Sequence, residues 1–153
     1  MAFDKKIQSK SRFQQGYFIP RNPDKYVGDV SKVRYMSSYE LRAFQFLDGN
    51  PNVLRWGSEE IAIPYIKPTT GRVHKYYPDL WIEYKSTSGT IIQEIIEIKP
   101  KSQTKRSRSK NPKTKLYEDL TLAVNLAKWE SAKKFCDKYG IKFRILTEDS
   151  IFR

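Results

Sequence analysis

The sequence predicts a single α/β domain in which a mixed central sheet is flanked by helices, with its core elements in the order αβββαβ. A capped helical pattern begins at Ser37, and runs of β-branched and aromatic residues follow between residues 60 and 98. A second helical pattern then precedes a last alternating run at residues 141–145. A chain of 153 residues is long enough to bury the core of one such domain.

The first helix is predicted from its start signal. Ser37 and Glu40 have the spacing of a capping box, in which each side chain satisfies a main-chain N–H group at the start of the helix. Leu41, Phe44 and Leu47 then repeat at helical spacing, which predicts one apolar face.

Three strands are predicted to follow this helix. Residues 53–56 are interpreted as a linker and residues 60–66 as the first strand. Residues 80–84 and 90–98 flank the turn signal Lys-Ser-Thr-Ser-Gly, so they are predicted to form a β-hairpin. The strand at residues 90–98 is apolar on both faces, which predicts a central position in the sheet. Glu83 and Glu94 are assigned to solvated positions.

The segment after Pro100 is polar, lacks glycine and aromatic residues, and has no apolar face. We therefore expect residues 101–115 to be mobile in the absence of a partner. One or two helices are predicted from about Lys115 to Gly140, with Cys136 on an apolar face. Because Cys136 is the single cysteine, an internal disulfide and a cysteine-based zinc cluster are excluded.

The net charge of +12 is concentrated in two segments. Residues 1–34 carry eight Lys/Arg against three Asp/Glu, residues 99–115 carry eight against none, and the remaining residues sum to −1. This distribution is typical of nucleic-acid-binding proteins, because cations that neutralise phosphates supply most of the sequence-independent affinity. The alternative is a basic tail that only increases solubility.

The domain organisation is predicted to be a basic N-terminal arm, residues 1–36, packed partly on a body formed by residues 37–153. Phe13, Phe18 and Tyr26 make the arm too apolar for a free tail. No apolar run approaches the roughly 18 residues of a membrane helix, and the N-terminus does not resemble a signal peptide. We therefore expect no membrane association and a protein that is made and used in a cytosol.

Three charged residues lie at the ends of the predicted hairpin strands. Asp79 opens the first strand, whereas Glu97 and Lys99 lie two apart near the end of the second and so share one face. If the strands are neighbours, Asp79 and Glu97 converge at one end of the sheet. Charges at the end of a buried strand are costly unless they are paired or bind a metal. Two carboxylates and an ammonium group there predict a site for a hard divalent cation, with a simple Glu–Lys pair as the alternative.

The segment Tyr77-Pro78-Asp79, followed by Glu97-Ile98-Lys99, resembles the PD-(D/E)xK signature of the restriction-endonuclease-like nucleases. Residues 37–64 resemble the start of a TnsA-type endonuclease domain, and residues 127–152 resemble its closing helix and strand. The resemblance thus covers residues 37–152 in the family's order. It implies the restriction-endonuclease-like fold and Mg²⁺-dependent hydrolysis of DNA phosphodiester bonds, with Mn²⁺ as a substitute ion.

The resemblance also implies roles for individual residues. Asp79 and Glu97 would hold the ion, and Lys99 would orient the attacking water or offset charge on the phosphorane. Glu40 has two interpretations, as a helix cap and as a catalytic glutamate facing the metal, and one-metal and two-metal mechanisms both stay open. Seven cations after Lys99 are predicted to bind the DNA backbone: Lys101, Lys105, Arg106, Arg108, Lys110, Lys113 and Lys115.

The chain's size, its basic N-terminus and the tail after Lys99 resemble the small nucleases that complete the heads of T-even-like tailed phages. This implies processing of packaged DNA, with portal or head–tail connector proteins as partners, in the host cytoplasm and in the virion head. Two other functions stay open: a structural head protein that binds DNA ends without cutting them, and a branch-resolving or transposition-type endonuclease. The sequence does not indicate the preferred DNA structure or the oligomeric state.

Overall fold

The computed structural model describes residues 15–151. Within this range the strands are β1 (Gly16–Tyr17), β2 (Arg34–Tyr35), β3 (Val53–Ser58), β4 (Ile63–Ile66), β5 (Val73–Tyr76), β6 (Leu80–Lys85), β7 (Ile91–Ile98) and β8 (Lys142–Leu146). The α-helices are α1 (Ser38–Gly49), α2 (Pro112–Tyr139) and α3 (Glu148–Ile151), and short 3₁₀ turns occur at Pro23–Lys25, Val30–Lys32 and Lys101–Thr104.

The central sheet has the strand order β3-β6-β7-β8. The predicted hairpin is confirmed: β6 and β7 are neighbours, and their short connection, closed by a hydrogen bond from Ser86 N–H to the Thr90 carbonyl, makes them antiparallel. β7 and β8 pair in parallel, with Ile95 opposite Phe143, and the crossover between them contains α2. The mixed sheet and the inner position of β7 are therefore as predicted.

The interpretation of residues 53–56 as a linker is wrong, because they belong to β3 of the central sheet. Arg55 on this strand forms two hydrogen bonds with Glu83 on β6, each 3.0 Å long. The strand predicted at residues 60–66 is shorter, since β4 covers only Ile63–Ile66. It pairs with β5 in an antiparallel ladder that is separate from the central sheet. Arg55 and Gly57 interrupt the period of two in β3, which is why the pattern did not indicate a strand.

The described residues form two compact units. The first unit contains the residues up to Ser58 together with Ile82–Ile92, and the second contains Glu59–Trp81 together with the residues from Gln93 onward. In the first unit, α1 contacts β2 and β3. Its core is a group of aromatic rings whose centroids lie 4.8 to 6.0 Å apart: Phe18, Tyr26, Phe44 and Trp56. Phe13, which was also predicted to pack, lies outside the described residues.

Helix α1 is capped at both ends. The Ser37 hydroxyl accepts a hydrogen bond from Glu40 N–H at 3.2 Å, as the sequence predicted. The Glu40 carboxylate accepts one from Met36 N–H at 3.4 Å. At the other end, the ammonium group of Lys25 donates to three carbonyls of residues 47, 48 and 50, at 2.8 to 3.0 Å. A cation at this end also complements the helix dipole.

In the second unit, α2 is one continuous helix of 28 residues that begins at Pro112, slightly before the predicted start. The Asn111 side chain caps its N-terminus, and Gly140, with φ of 69°, ends it in the left-handed conformation that favours glycine. Trp129, Ala132 and Cys136 are buried on one face, as predicted for Cys136. They pack with the other members of the core: Ile63, Tyr65, Tyr76 and Ile95.

The assignment of Glu94 and Glu83 to solvated positions is wrong. Glu94 is only 2% exposed, and both of its carboxylate oxygens lie 3.0 Å from the guanidinium group of Arg144 on β8. The parallel pairing of β7 with β8 supplies this partner from distant sequence. The side chain of Glu83 is 13% exposed and is paired with Arg55. Two-bond guanidinium pairs compensate such carboxylates for their lost hydration.

The mixed α/β class, with a mixed central sheet and flanking helices, is confirmed. It is the architecture that the nuclease resemblance implied. Helix α2 is long but polar, and none of the helices within residues 15–151 is apolar enough over sufficient length to cross a membrane.

Candidate functional site

Asp79 and Glu97 are brought together in the second unit. Asp79 directly precedes β6, and its carboxylate oxygen Oδ2 accepts a hydrogen bond of 2.7 Å from the main-chain N–H of Ile98. The Asp79 carboxylate is therefore attached to the residue that follows Glu97. This bond holds the start of one strand against the end of its neighbour, which is the convergence that the hairpin predicted.

Glu97 lies near the end of β7 and is only 5% exposed. Its Oε2 atom accepts a hydrogen bond from the Tyr76 hydroxyl, and its Oε1 atom lies 3.5 Å from the Lys99 ammonium group. Burial raises the pKa of Glu97, although the hydrogen bond from Tyr76 and the charge of Lys99 act in the opposite direction. Burial and the nearby Glu97 carboxylate also raise the pKa of the Tyr76 hydroxyl, so Tyr76 remains a donor.

Lys99 directly follows β7, and the sheet fixes its main chain. Its N–H group donates a hydrogen bond of 2.9 Å to the Leu146 carbonyl at the end of β8. Its side chain is 28% exposed and reaches back to Glu97. An ammonium group that is partly exposed and beside a buried carboxylate can contact an anion arriving from solvent.

Lys128 on α2 is a further cation near these residues. Its ammonium nitrogen lies 5.8 Å from the ring centroid of Tyr65 and 5.7 Å from that of Tyr76. The pKa of Lys128 is lowered, mainly by burial and then by the charge of Lys99, while Glu97 and Asp79 act to raise it.

Neither Tyr76 nor Lys128 is among the site residues that the sequence predicts. Tyr76 stands only three residues before Asp79, so the motif indicated its neighbourhood but not its bond to Glu97. Lys128 carries no comparable signal. Nothing in a helical pattern distinguishes a lysine that faces a strand end from one that faces solvent.

Glu40 belongs to the first unit, where it lies in the first turn of α1 and takes part in the N-terminal cap. The capping interpretation therefore has a direct structural basis. Its catalytic role stays a prediction.

The basic segment, residues 101–115, has definite contacts at both ends. Lys101 donates its N–H to Glu148 at 2.9 Å, and its ammonium group lies 3.0 Å from Asp149. Lys115 lies 3.7 Å from Asp119, which also accepts a hydrogen bond from the main chain of the segment. The remaining five predicted DNA-binding cations are exposed and have no ion-pair partner in the described part of the chain: Lys105, Arg106, Arg108, Lys110 and Lys113. The predicted mobility of the segment stays a prediction.

A cavity of about 510 Å³ lies within this part of the second unit. Four cationic side chains line it, together with three serines and one glutamate: Lys101, Lys105, Arg106, Arg108, Ser102, Ser107, Ser109 and Glu118. Lysine, arginine and serine are donors suited to phosphate oxygens.

Residues 50–148 match the TnsA-like endonuclease N-terminal family. The chain belongs to this family. The matched residues of this TnsA-like endonuclease include Asp79, Glu97 and Lys99, and they begin after Glu40. The chain is also similar to the head completion nuclease of Enterobacteria phage T4, with 39% identity over 142 residues, which is 89% of this chain and 92% of that relative.

The side chains of this TnsA-like endonuclease fit the kind of ion that the resemblance implied. No group of three or more His, Cys, Asp or Glu residues suited to a metal occurs among residues 15–151, so a site closed entirely by such side chains is not present there. Mg²⁺ is commonly bound by one or two carboxylates and keeps several waters. The pair Asp79 and Glu97 matches that requirement, whereas structural zinc takes four ligands, chiefly cysteine and histidine.

Proposed function

We propose that this TnsA-like endonuclease is a Mg²⁺-dependent enzyme that hydrolyses DNA phosphodiester bonds. One observation carries the proposal: Asp79 accepts a hydrogen bond from the main-chain N–H of Ile98 at the end of β7. The preceding residue, Glu97, is buried and forms an ion pair with Lys99. A buried carboxylate whose pKa is perturbed by burial and by specific charged neighbours is typical of functional sites.

Asp79 and Glu97 are the residues that would hold the ion. When bound, Mg²⁺ supplies polarisation of the phosphoryl oxygen and lowers the pKa of the attacking water. Tyr76 orients Glu97 by donating to Oε2, and burial keeps the Tyr76 hydroxyl protonated in this role. Lys99 provides a positive charge for the negative charge that develops on the phosphate oxygens.

The wider role that we propose is processing of DNA during completion of a phage head. It is supported by the similarity to the T4 head completion nuclease, which extends over most of both chains. The enzyme would then act in the host cytoplasm during assembly and at the filled head. Portal or head–tail connector proteins are the partners expected for such a role.

The main test is cleavage of supercoiled, linear and branched DNA by the purified protein, with Mg²⁺, with Mn²⁺ and with excess chelator. We expect cleavage with either ion and none with chelator. Asp79→Asn and Glu97→Gln should each abolish cleavage and weaken Mn²⁺ binding measured by calorimetry. Glu130→Gln, which changes an exposed carboxylate of α2, is the matched control and should behave as the wild type.

Unchanged Mn²⁺ binding in the Asp79→Asn, Glu97→Gln double variant would remove this pair as the metal site. Binding of DNA without cleavage under every condition would instead favour a structural DNA-binding protein. Preferential cleavage of branched DNA would favour a branch-resolving enzyme.

The variant Lys99→Ala distinguishes a role of Lys99 in the cleavage step from a role in DNA binding. Because Lys99 adjoins the carboxylate that would hold the ion, we expect its removal to lower the single-turnover cleavage rate by a factor on the order of 10², as for other lost electrostatic stabilisers. DNA affinity should change little, since many other cations remain. Cleavage at the wild-type rate would reduce Lys99 to a phosphate contact.

A further inference from the structure

Lys128 is not explained by the roles assigned so far. It lies on α2, far along the chain from the hairpin that carries the motif, and it is half-buried. Its ammonium nitrogen is within about 6 Å of two aromatic ring centroids, the range of cation–π interactions. A lysine on a helix flank usually extends its ammonium group into water. The ammonium group of Lys128 instead lies over the rings of Tyr65 and Tyr76.

The electrostatic surroundings of Lys128 are those of the candidate site. Asp79 and Glu97 favour its positive charge, whereas Lys99 and Lys67 oppose it. None of the carboxylates in the described residues is close enough to Lys128 to form an ion pair with it. Lys99, in contrast, lies 3.5 Å from Glu97. The charge of Lys128 is therefore the less neutralised of the two.

Lys128 is influenced by the charges of two other lysines, Lys99 and Lys67, and of two carboxylates, Glu97 and Asp79. Counted by formal charge, these five groups carry one positive charge in excess. Like charges held together at a half-buried position are unfavourable unless an anion compensates them. A phosphodiester group carries one negative charge and is the substrate group that the proposed function brings to this place.

We propose that Lys128 is a second substrate-binding cation of the nuclease site, whose ammonium group contacts a phosphate of the DNA strand beside Asp79 and Glu97. The inference rests on the proposed function, because it requires DNA to bind at the carboxylate pair. The rings of Tyr65 and Tyr76, over which the ammonium group lies, would position it for this contact. Since Tyr76 also donates to Glu97, one tyrosine positions both the carboxylate and the phosphate-binding cation.

The test compares Lys128→Met, which keeps the length of the side chain, with Lys128→Arg, which keeps the charge. Lys133→Met removes an exposed lysine from the same helix and is the control. Affinity for a short fluorescent duplex is measured without divalent ions over a series of salt concentrations. Each phosphate that is no longer neutralised lowers the slope of log K against log salt by about 0.9. We expect the slope to fall by about 0.9 for Lys128→Met, which corresponds to one phosphate. It should change little for Lys128→Arg and not at all for Lys133→Met.

Single-turnover cleavage and thermal melting complete the test. Lys128→Met should cleave about tenfold or more slowly with a melting temperature close to that of the wild type. An unchanged salt slope overturns the inference, and if the melting temperature also falls, Lys128 acts only by supporting Tyr76. Wild-type cleavage that depends on Asp79 but not on Lys128 refutes this inference alone. A wild-type protein that neither binds nor cuts DNA refutes the proposed function as well.

Discussion

Glu97 illustrates how a single residue is subject to opposite demands from stability and chemistry. It is 5% exposed, and burial raises its pKa above the ordinary value of 4.5. A raised pKa means that the folded state favours the neutral carboxyl over the ionised one. The stability that the neutral carboxyl contributes is present below the unfolded pKa and is lost as the pH rises through the higher folded pKa. Binding of a metal ion requires the ionised form of Glu97, which burial disfavours and the contacts with Tyr76 and Lys99 favour.

Glu97→Gln is expected to stabilise the protein at neutral pH while abolishing cleavage. The amide removes the buried charge but keeps an oxygen that can accept from Tyr76, so we expect the free energy of unfolding to rise by about 1 kcal/mol. The gain should vanish at pH values below the ordinary Glu pKa, where the wild-type side chain is also neutral. Chemical denaturation at several pH values measures both effects.

Glu94→Gln is the matched comparison, because Glu94 is also buried on β7 but is fully paired with Arg144. It should lower the free energy of unfolding by about 1 kcal/mol, a modest amount because the Arg144 side chain is 52% exposed and water can replace its missing partner. If Glu97→Gln destabilises the protein as much as Glu94→Gln does, the pair with Lys99 compensates Glu97 fully.

These residues also show what the sequence could predict about the site. Asp79, Glu97 and Lys99 were predicted because their positions at strand ends follow from local periodicity and a short motif. Lys128 was not, since its place depends on how α2 packs against strands distant in sequence. Glu94 was misassigned for the same reason, because Arg144 becomes its neighbour only through the parallel pairing of β7 with β8.

At the scale of elements, the long helix α2 combines two functions. Its C-terminal half buries Trp129, Ala132 and Cys136 in the core of the second unit. Its N-terminal half is largely exposed, with Leu120 46% exposed, and its Asp119 accepts a hydrogen bond from the basic segment. One helix thus carries Asp119 beside the basic segment, Lys128 over the ring of Tyr76, and the three core residues.

The elements that the sequence predicted well are those with an uninterrupted period and a clear end signal. Helix α1 and strand β7 are of this kind, and Gly140 ends α2 as expected. Strand β3 was missed because a glycine and an arginine interrupt its pattern, although the arginine is paired with Glu83 on the neighbouring strand. Pairing partners of this kind are properties of the sheet and cannot be identified from one segment alone.

For the whole molecule, the location of the charge matters more than its sum. The net charge of +12 is carried by residues 1–34 and 99–115, and the second of these segments directly follows the strand that ends in Glu97 and Lys99. A duplex bound by the basic segment would therefore lie close to the residues proposed for chemistry. Contacts with phosphates would position the DNA without selecting its sequence.

The last prediction concerns the five cations of the basic segment that have no ion-pair partner among the described residues. Replacing all five by Gln (Lys105, Arg106, Arg108, Lys110 and Lys113) should flatten the slope of log K against log salt by about 0.9 for each phosphate that is no longer neutralised, or roughly three to four and a half in all. The double variant Lys101→Gln, Lys115→Gln is the control, and it should change the slope much less because both lysines are already paired with aspartates. Cleavage by the fivefold variant at low salt and saturating DNA should persist, since none of the five residues lies at the carboxylate pair. An unchanged slope would assign the segment to a protein partner such as the portal, and complete loss of cleavage would make it part of the active site.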